Sequence, residues 1–257
     1  MVGKTGAGEM GLASGGGMGQ GRDIQDYTIQ FGMPEAVRER QIARTFQRVY
    51  GWMCAGLALS GVVAWKTAAS GLWMRVLAGP WLWVCFAAEF ALVIGLSAAI
   101  HKLGAAVAGA MFAAYAALNG LTLSVVFVAY DLALVQRAFF VTAGMFGGLA
   151  LYGTVTKADL GGIGSVCGMA LWGVIVAGVV NLFLKSSGLD WIVTMGGVVV
   201  FAGLTMYDAQ KIRQLAAEEG TLDDETVRKL GILGALELYL DFVNLFLHLL
   251  RFLGRKR

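Results

Sequence analysis

From Tyr50 onward the chain alternates between long apolar runs and short interruptions of charge. Lys66, Arg75, Glu89, Lys102, Asp131, Arg137, Lys157, Asp159, Lys185 and Asp190 supply most of that punctuation. Cutting there leaves apolar segments near 50–69, 81–100, 103–128, 138–156, 163–184 and 191–208, with a last one at about 231–253. Each is near the ~20 residues a helix needs to cross ~30 Å of hydrocarbon. Backbone amides in lipid need partners inside the segment or in a closed barrel, and these runs lack the period-two alternation of barrel strands. The pattern predicts an all-α membrane protein with seven transmembrane helices. Small residues recur at four-residue spacing (Gly164 with Gly168, Gly104 with Ala108), which suits ordinary close packing of helices in lipid.

The flanks read differently. Residues 1–33 are Gly-rich and polar, with neither the apolar core nor the cleavage site of a signal peptide. They are expected to be a disordered tail, leaving 34–257 as the seven-helix domain. Pro34 opens a charged stretch (Glu35, Arg38, Glu39, Arg40, Arg44, Arg48) whose alternating signs at helical spacing predict a solvated lead-in helix.

Composition agrees with a bilayer. Hydrophobic residues make up 58% and charged residues 14%, against roughly 45–50% and about 25% in soluble domains. A net charge of +3, with no basic stripe or interleaved aromatics, argues against nucleic acid as a partner. Cys54, Cys85 and Cys167 lie inside apolar runs without zinc spacing, and are expected to be inert buried thiols. Tyr50, Trp52, Trp81 and Trp191 fit interfacial anchors. An odd number of spans puts the termini on opposite faces. The loops on the N-terminal side carry Arg38, Arg40, Arg44, Arg48, Lys102, Lys157, Lys211, Arg213, Arg228 and Lys229. The other side has Lys66, Arg75, Arg137, Lys185 and the tail residues Arg251, Arg255, Lys256 and Arg257. That bias favours a cytoplasmic N-terminus.

Ionisable groups inside a span are costly, so each asks for a partner or a wet cavity. The last segment holds most of them. With Glu237 at zero and about 100° per residue, Asp241 falls near 40°, Asn244 near −20°, His248 near 20° and Arg251 near −40°. The stripe rises about 21 Å, most of the hydrocarbon thickness. Such a face cannot meet lipid, so the helix is expected inside the bundle. Two readings stay open: a polar face satisfied by neighbouring helices, or an ion or proton path.

A second constellation ends the sixth span, in GLTMYDAQKI: Tyr207, Asp208, Gln210 and Lys211. Asp208 reads as a helix-end carboxylate, and it can reach Asp241 only if the sixth helix ends below the headgroup level or the seventh begins above it. If they meet, they share a proton, because adjacent like charges in a partly dry site cannot both ionise cheaply. Deprotonated, the pair offers the hard oxygens that Ca²⁺ prefers. Glu89, the other deep carboxylate, is expected to partner the polar stripe, for instance at His248 or Arg251. Asn119 and Asn181 are expected to bond between helices.

GLTMYDAQKI followed by LELYLDFVNLFLHLLRFLG closely resembles the paired sixth- and seventh-helix signatures of the Bax inhibitor-1 family, the transmembrane Bax inhibitor motif proteins, in a bacterial version. The resemblance runs from about Val49 to Gly254, including GLTLSVVF in the third span and the carboxylate at Glu89. It implies two three-helix layers around a central C-terminal helix, and a pH-sensitive Ca²⁺ leak gated by an aspartate pair that matches Asp208 and Asp241. Bacterial members of the family carry an arginine at the end of the second helix that engages the pair. Here that region reads AAIHKLG, so His101 or Lys102 would have to substitute, without the bidentate fork. The acidic connection from Gln214 to Leu230 looks longer than in compact relatives and reads as a solvated loop.

An enzyme is not expected. The YD of one span and the aspartate of the next suggest an intramembrane aspartyl protease, but Tyr239-Leu240-Asp241 lacks the flanking glycines of that family's second motif. The resulting expectation is a pH-gated Ca²⁺ leak channel or transporter of a bacterial inner membrane, with no resident cofactor. Asp208 and Asp241 form the gate and any Ca²⁺ stop, and Glu89, Glu237, Asn244, His248 and Arg251 lie along the path. The alternative is a non-conducting modulator that binds a membrane protease or a stress-response protein.

Overall fold

The structure, a computed structural model, describes residues 34–77, 79–218 and 223–254. The expected tail at 1–33 and the basic residues 255–257 lie outside these. Eight helices make up the described chain: α1 (Glu35–Ala69), α2 (Leu72–Leu77), α3 (Trp81–Ala99), α4 (Ala105–Ala129), α5 (Leu132–Val155), α6 (Gly161–Leu184), α7 (Ser187–Glu218) and α8 (Asp224–Gly254). No strand occurs among the described residues.

Six of the helices, α3 to α8, are long and apolar enough to cross a membrane. The first predicted span lies in α1 but is not among them. That stretch carries Tyr50, Trp52, Trp65 and Lys66, and its inward face is small, with Gly56, Ser60, Ala64 and Thr67 buried at helical spacing. The lead-in is the first half of this same 35-residue helix. It is not wholly solvated, since Gln41 is buried and its Nε2 donates to the Ala216 carbonyl at 2.8 Å.

The helices form two layers. On one side α4 packs against both α1 and α3, and on the other α7 packs against both α5 and α6. Between them lies α8, which contacts α1, α3, α4, α5 and α7. Leu236, Leu238, Tyr239, Leu245 and Leu250 of α8 are almost wholly buried, as expected of a helix enclosed by others. Phe112 and Tyr115 of α4 and Phe146 of α5 meet its aromatic residues edge to face. The outer helices instead present Phe90, Phe140, Trp172 and Phe183 outward, as lipid-facing helices do. This is the arrangement of two three-helix layers around a central C-terminal helix.

Several local expectations change. The sixth span does not end at Asp208, because α7 continues to Glu218 through AQKIRQLAAE, a run of strong helix formers. With α8 beginning at Asp224, only 219–223 remains between helices, so the long acidic loop is largely helix. Of its carboxylates, Asp224 binds Arg48 and Arg228, each at 2.6 Å. Glu225 accepts the Ala105 N–H at 2.7 Å, capping α4. Gly164 receives the Tyr207 ring, whereas Gly168 faces open space. Asn181 caps its own helix, its Oδ1 accepting the Ser186 N–H; Asn119 does bond between helices. Only Cys167 of the three thiols is buried; Cys54 is exposed and Cys85 half-buried.

Candidate functional site

A cavity of about 640 Å³ lies between α3 and α6, with α7 and α8 as its back wall. Glu89, Asp208, Glu237, Asp241, Asn244 and His248 all line it. The stripe computed for the last helix therefore faces a cavity. Arg251 is the exception: it is exposed, at the outer end of α8, where a long cationic side chain reaches away from the apolar interior.

The extension of α7 brings the two aspartates together. Asp208 sits ten residues before the end of that helix, about 15 Å along its axis, so it lies inside the bundle, where the antiparallel α8 carries Asp241. The carboxyls hydrogen-bond to each other, and such a bond needs a proton on one of them. Asp241 is 4% exposed, and its Oδ2 has no hydrogen-bond partner.

The cation beside this pair is Lys211, not His101 or Lys102. Those two are exposed in the turn before α4, at the end of the molecule where Glu225 caps Ala105. Lys211 lies one turn from Asp208, and its Nζ donates to Glu237 at 2.7 Å. The sequence contains the signal for it, a cation three residues after Asp208 on the same helical face.

Glu89 does not pair with His248 or Arg251. It accepts hydrogen bonds from the Thr122 hydroxyl, at 3.0 Å, and the Asn119 amide. Asn119 Oδ1 accepts from the Tyr239 hydroxyl at 3.0 Å, and Tyr239 shares a 2.6 Å hydrogen bond with Ser60. This network crosses from α3 to α1 past α8. It ends at a second, apolar cavity of about 310 Å³ that Ser60 lines together with Phe139, Phe242 and Phe246. Thr122, Tyr239 and Ser60 carry no sequence signal for this role, since each reads as an ordinary helix residue until α4 and α8 are packed together.

His248 stacks on Phe201 with ring centroids 5.8 Å apart, and its Nδ1 has no partner. A Cβ at Gly197 would fall on its imidazole ring, so only glycine leaves room there. Gln210 holds the turn between α5 and α6, donating to the Ala158 carbonyl at 2.7 Å and accepting from the Leu160 N–H at 2.9 Å. Among the described residues, no group of three His, Cys, Asp or Glu side chains is arranged to hold a metal ion. Asp208 and Asp241 meet as a pair.

A central helix with a carboxyl pair facing a cavity, wrapped by two layers of lipid-facing helices, defines a multi-pass membrane protein with an ionisable site at mid-depth. Residues 42–257 match the family described as Inhibitor of apoptosis-promoting Bax1. The chain belongs to this family, the Bax inhibitor-1 family. It is 50% identical over 212 residues to the inner membrane protein YbhL of Escherichia coli K12, covering 82% of this chain and 91% of that one. An uncharacterized protein of Deinococcus radiodurans is 47% identical over 218 residues, covering 83% and 91% of the two chains. One of Borreliella burgdorferi is 40% identical over 214 residues, covering 82% and 91%.

Proposed function

We propose that this protein is a pH-sensitive Ca²⁺ leak channel or transporter of a bacterial inner membrane, gated by Asp208 and Asp241, with its N-terminus in the cytoplasm. The observation that carries the reading is the meeting of these two carboxyls at the wall of a mid-membrane cavity. Sharing one proton, they bridge α7 to α8 and present a single negative charge. Losing it, they repel each other and offer four oxygens to a cation. Ca²⁺ takes six to eight oxygen ligands, so two aspartates serve as a passing stop whose remaining ligands are water. Glu89 and Glu237 add negative potential along the cavity, and Lys211 offsets part of it. The inner-membrane assignment is supported by the name of the Escherichia coli relative, and the orientation by the basic bias of the loops.

The test is Ca²⁺ influx into proteoliposomes across about pH 5 to pH 8, since two carboxyls that share a proton respond to pH as one unit. The natural protein is compared with Asp208→Asn, Asp241→Asn and the double substitution. Influx above empty vesicles is expected, and each single change should remove the pH response as fully as the double. Influx no greater than that of empty vesicles defeats the leak and turns attention to a protein partner. A pH response that survives both changes defeats the gate.

A further inference from the structure

The acidic cavity has a side opening. Neither α3 nor α8 approaches α6 within 8 Å between Cα atoms anywhere among the described residues, so the two layers do not close over it. The rim is apolar: Phe90 and Val93 come from α3, and Leu171, Val174 and Ile175 from α6. Phe90 is 68% and Ile175 47% exposed on the outer surface. These residues lie in the middle stretches of their helices, so the opening faces hydrocarbon. A bare ion cannot use such a route, because a charge at mid-bilayer depth is strongly disfavoured. A molecule with an apolar body can.

What waits inside is acidic and short of partners. Asp208, Asp241 and Glu89 bring three carboxyls to this wall, and Lys211 is occupied by Glu237. Among the described residues, the buried side-chain polar atoms without a hydrogen bond are Asp241 Oδ2 and His248 Nδ1, both on residues that line this cavity. A buried carboxyl oxygen without a donor, beside an imidazole nitrogen that can accept in one tautomer and behind an apolar rim, is complementary to a donor-rich cation carried on a hydrocarbon tail. At about 640 Å³, the space lies within the range of cavities that enclose small ligands, roughly 300–1,000 Å³.

We propose that the opening between α3 and α6 admits a single-chain alkyl ammonium from the bilayer, with its head on Asp241 and its tail between Phe90 and Ile175. An ammonium has three donors and no acceptor, which suits a site whose free carboxyl oxygen accepts. The tail replaces lipid at the rim without exposing apolar surface to water. This inference concerns binding alone and does not depend on whether the protein conducts Ca²⁺.

The test uses the full chain in lipid nanodiscs and a dodecylamine that bears a photoreactive diazirine on its tail. Labelling is expected on α3 and α6 peptides. Unlabelled dodecylamine should suppress it, while dodecanol and dodecyl sulfate should not. Asp241→Asn should weaken competition about tenfold, the order of change expected from losing one charge-assisted hydrogen bond. Gly178→Phe provides a second variant with the carboxyl intact. A Cβ there meets only Val193, at 3.9 Å, so the larger ring fills the cavity mouth and should abolish labelling. The proposal fails if dodecanol competes as well as the amine, since the site then takes any tail. It also fails if labelling falls elsewhere, or persists unchanged in Gly178→Phe.

Discussion

Lys211 shows how one side chain sets the charge of the cavity. Its 2.7 Å bond to Glu237 leaves the two side chains 38% and 24% exposed, so the pair is neither dry nor freely solvated. Replacing Lys211 with methionine leaves Glu237 without a partner beside Asp208 and Asp241. A fully buried pair broken in this way costs about 3–5 kcal/mol. Partial exposure lowers the expectation here to about 1–2 kcal/mol, read as a fall in the thermal midpoint in detergent. Adding Glu237→Gln should recover most of the loss, because the repulsion goes with the charge. An equal loss in the single and double variants would show that the lysine stem, not its charge, is what matters. The aspartates, Glu237 and His248 were legible in the sequence because polar groups in an apolar run at helical spacing must share a face. The partner of Glu89 was not, since Thr122 and Asn119 belong to a different helix and nothing in the chain fixes how the two helices are rotated. Arg251 was misplaced for a related reason. Angle alone cannot show that a stripe has reached the end of the enclosed part of a helix.

At the level of helices, α5 comes close against α7 at Gly153. A Cβ there would fall on the main chain at Met206, and a backbone cannot rotate away as a side chain can. Gly153→Ala is therefore expected to push the helices apart and cost about 1–3 kcal/mol. Gly147→Ala on the same helix, where a Cβ meets nothing within 4 Å, should leave the thermal midpoint unchanged. The order of the helices could be read from the sequence, because charge interrupts the apolar runs wherever the chain returns to water. Their ends could not. Asp208, Gln210 and Lys211 look like the wet end of a span, yet here Asp241, the α5–α6 turn and Glu237 satisfy them inside the bundle. Just before α8, hydrogen bonds led by the Thr226 side chain hold the exposed Asp223 carboxyl below its usual range. A lowered value means that its stabilising effect is present above the unfolded carboxyl's pKa, about 3.9, and is lost as pH falls through the lower folded value. Protection against hydrogen exchange at the first turn of α8, taken relative to the unstructured rate at the same pH, should thus be flat from about pH 5 to pH 8 and fall only in stronger acid. A pH response of transport between those limits does not originate at Asp223.

The shape of the whole molecule follows from which neighbours α8 lacks. Among the described residues it touches every long helix except α6, and α6 is held through α7 alone. The layer of α5, α6 and α7 thus grips the central helix at one side and stands away from it at the other. The opening toward lipid is a property of this arrangement more than of any single residue. It can be measured as a distance. In a background with Cys54, Cys85 and Cys167 changed to alanine, Val93→Cys and Val174→Cys place one thiol on each lip. A disulfide needs Cα atoms within about 7 Å, whereas the α3 and α6 Cα atoms are more than 8 Å apart throughout. Oxidation in lipid nanodiscs is expected to leave the thiols unjoined, while a bismaleimide with a longer spacer should link them in most molecules. Rapid disulfide formation without any spacer would mean that the layers meet in the membrane and that the cavity is sealed from lipid. The acidic pair could then be reached only from the aqueous ends of α8, and an ion would be the only visitor left to consider.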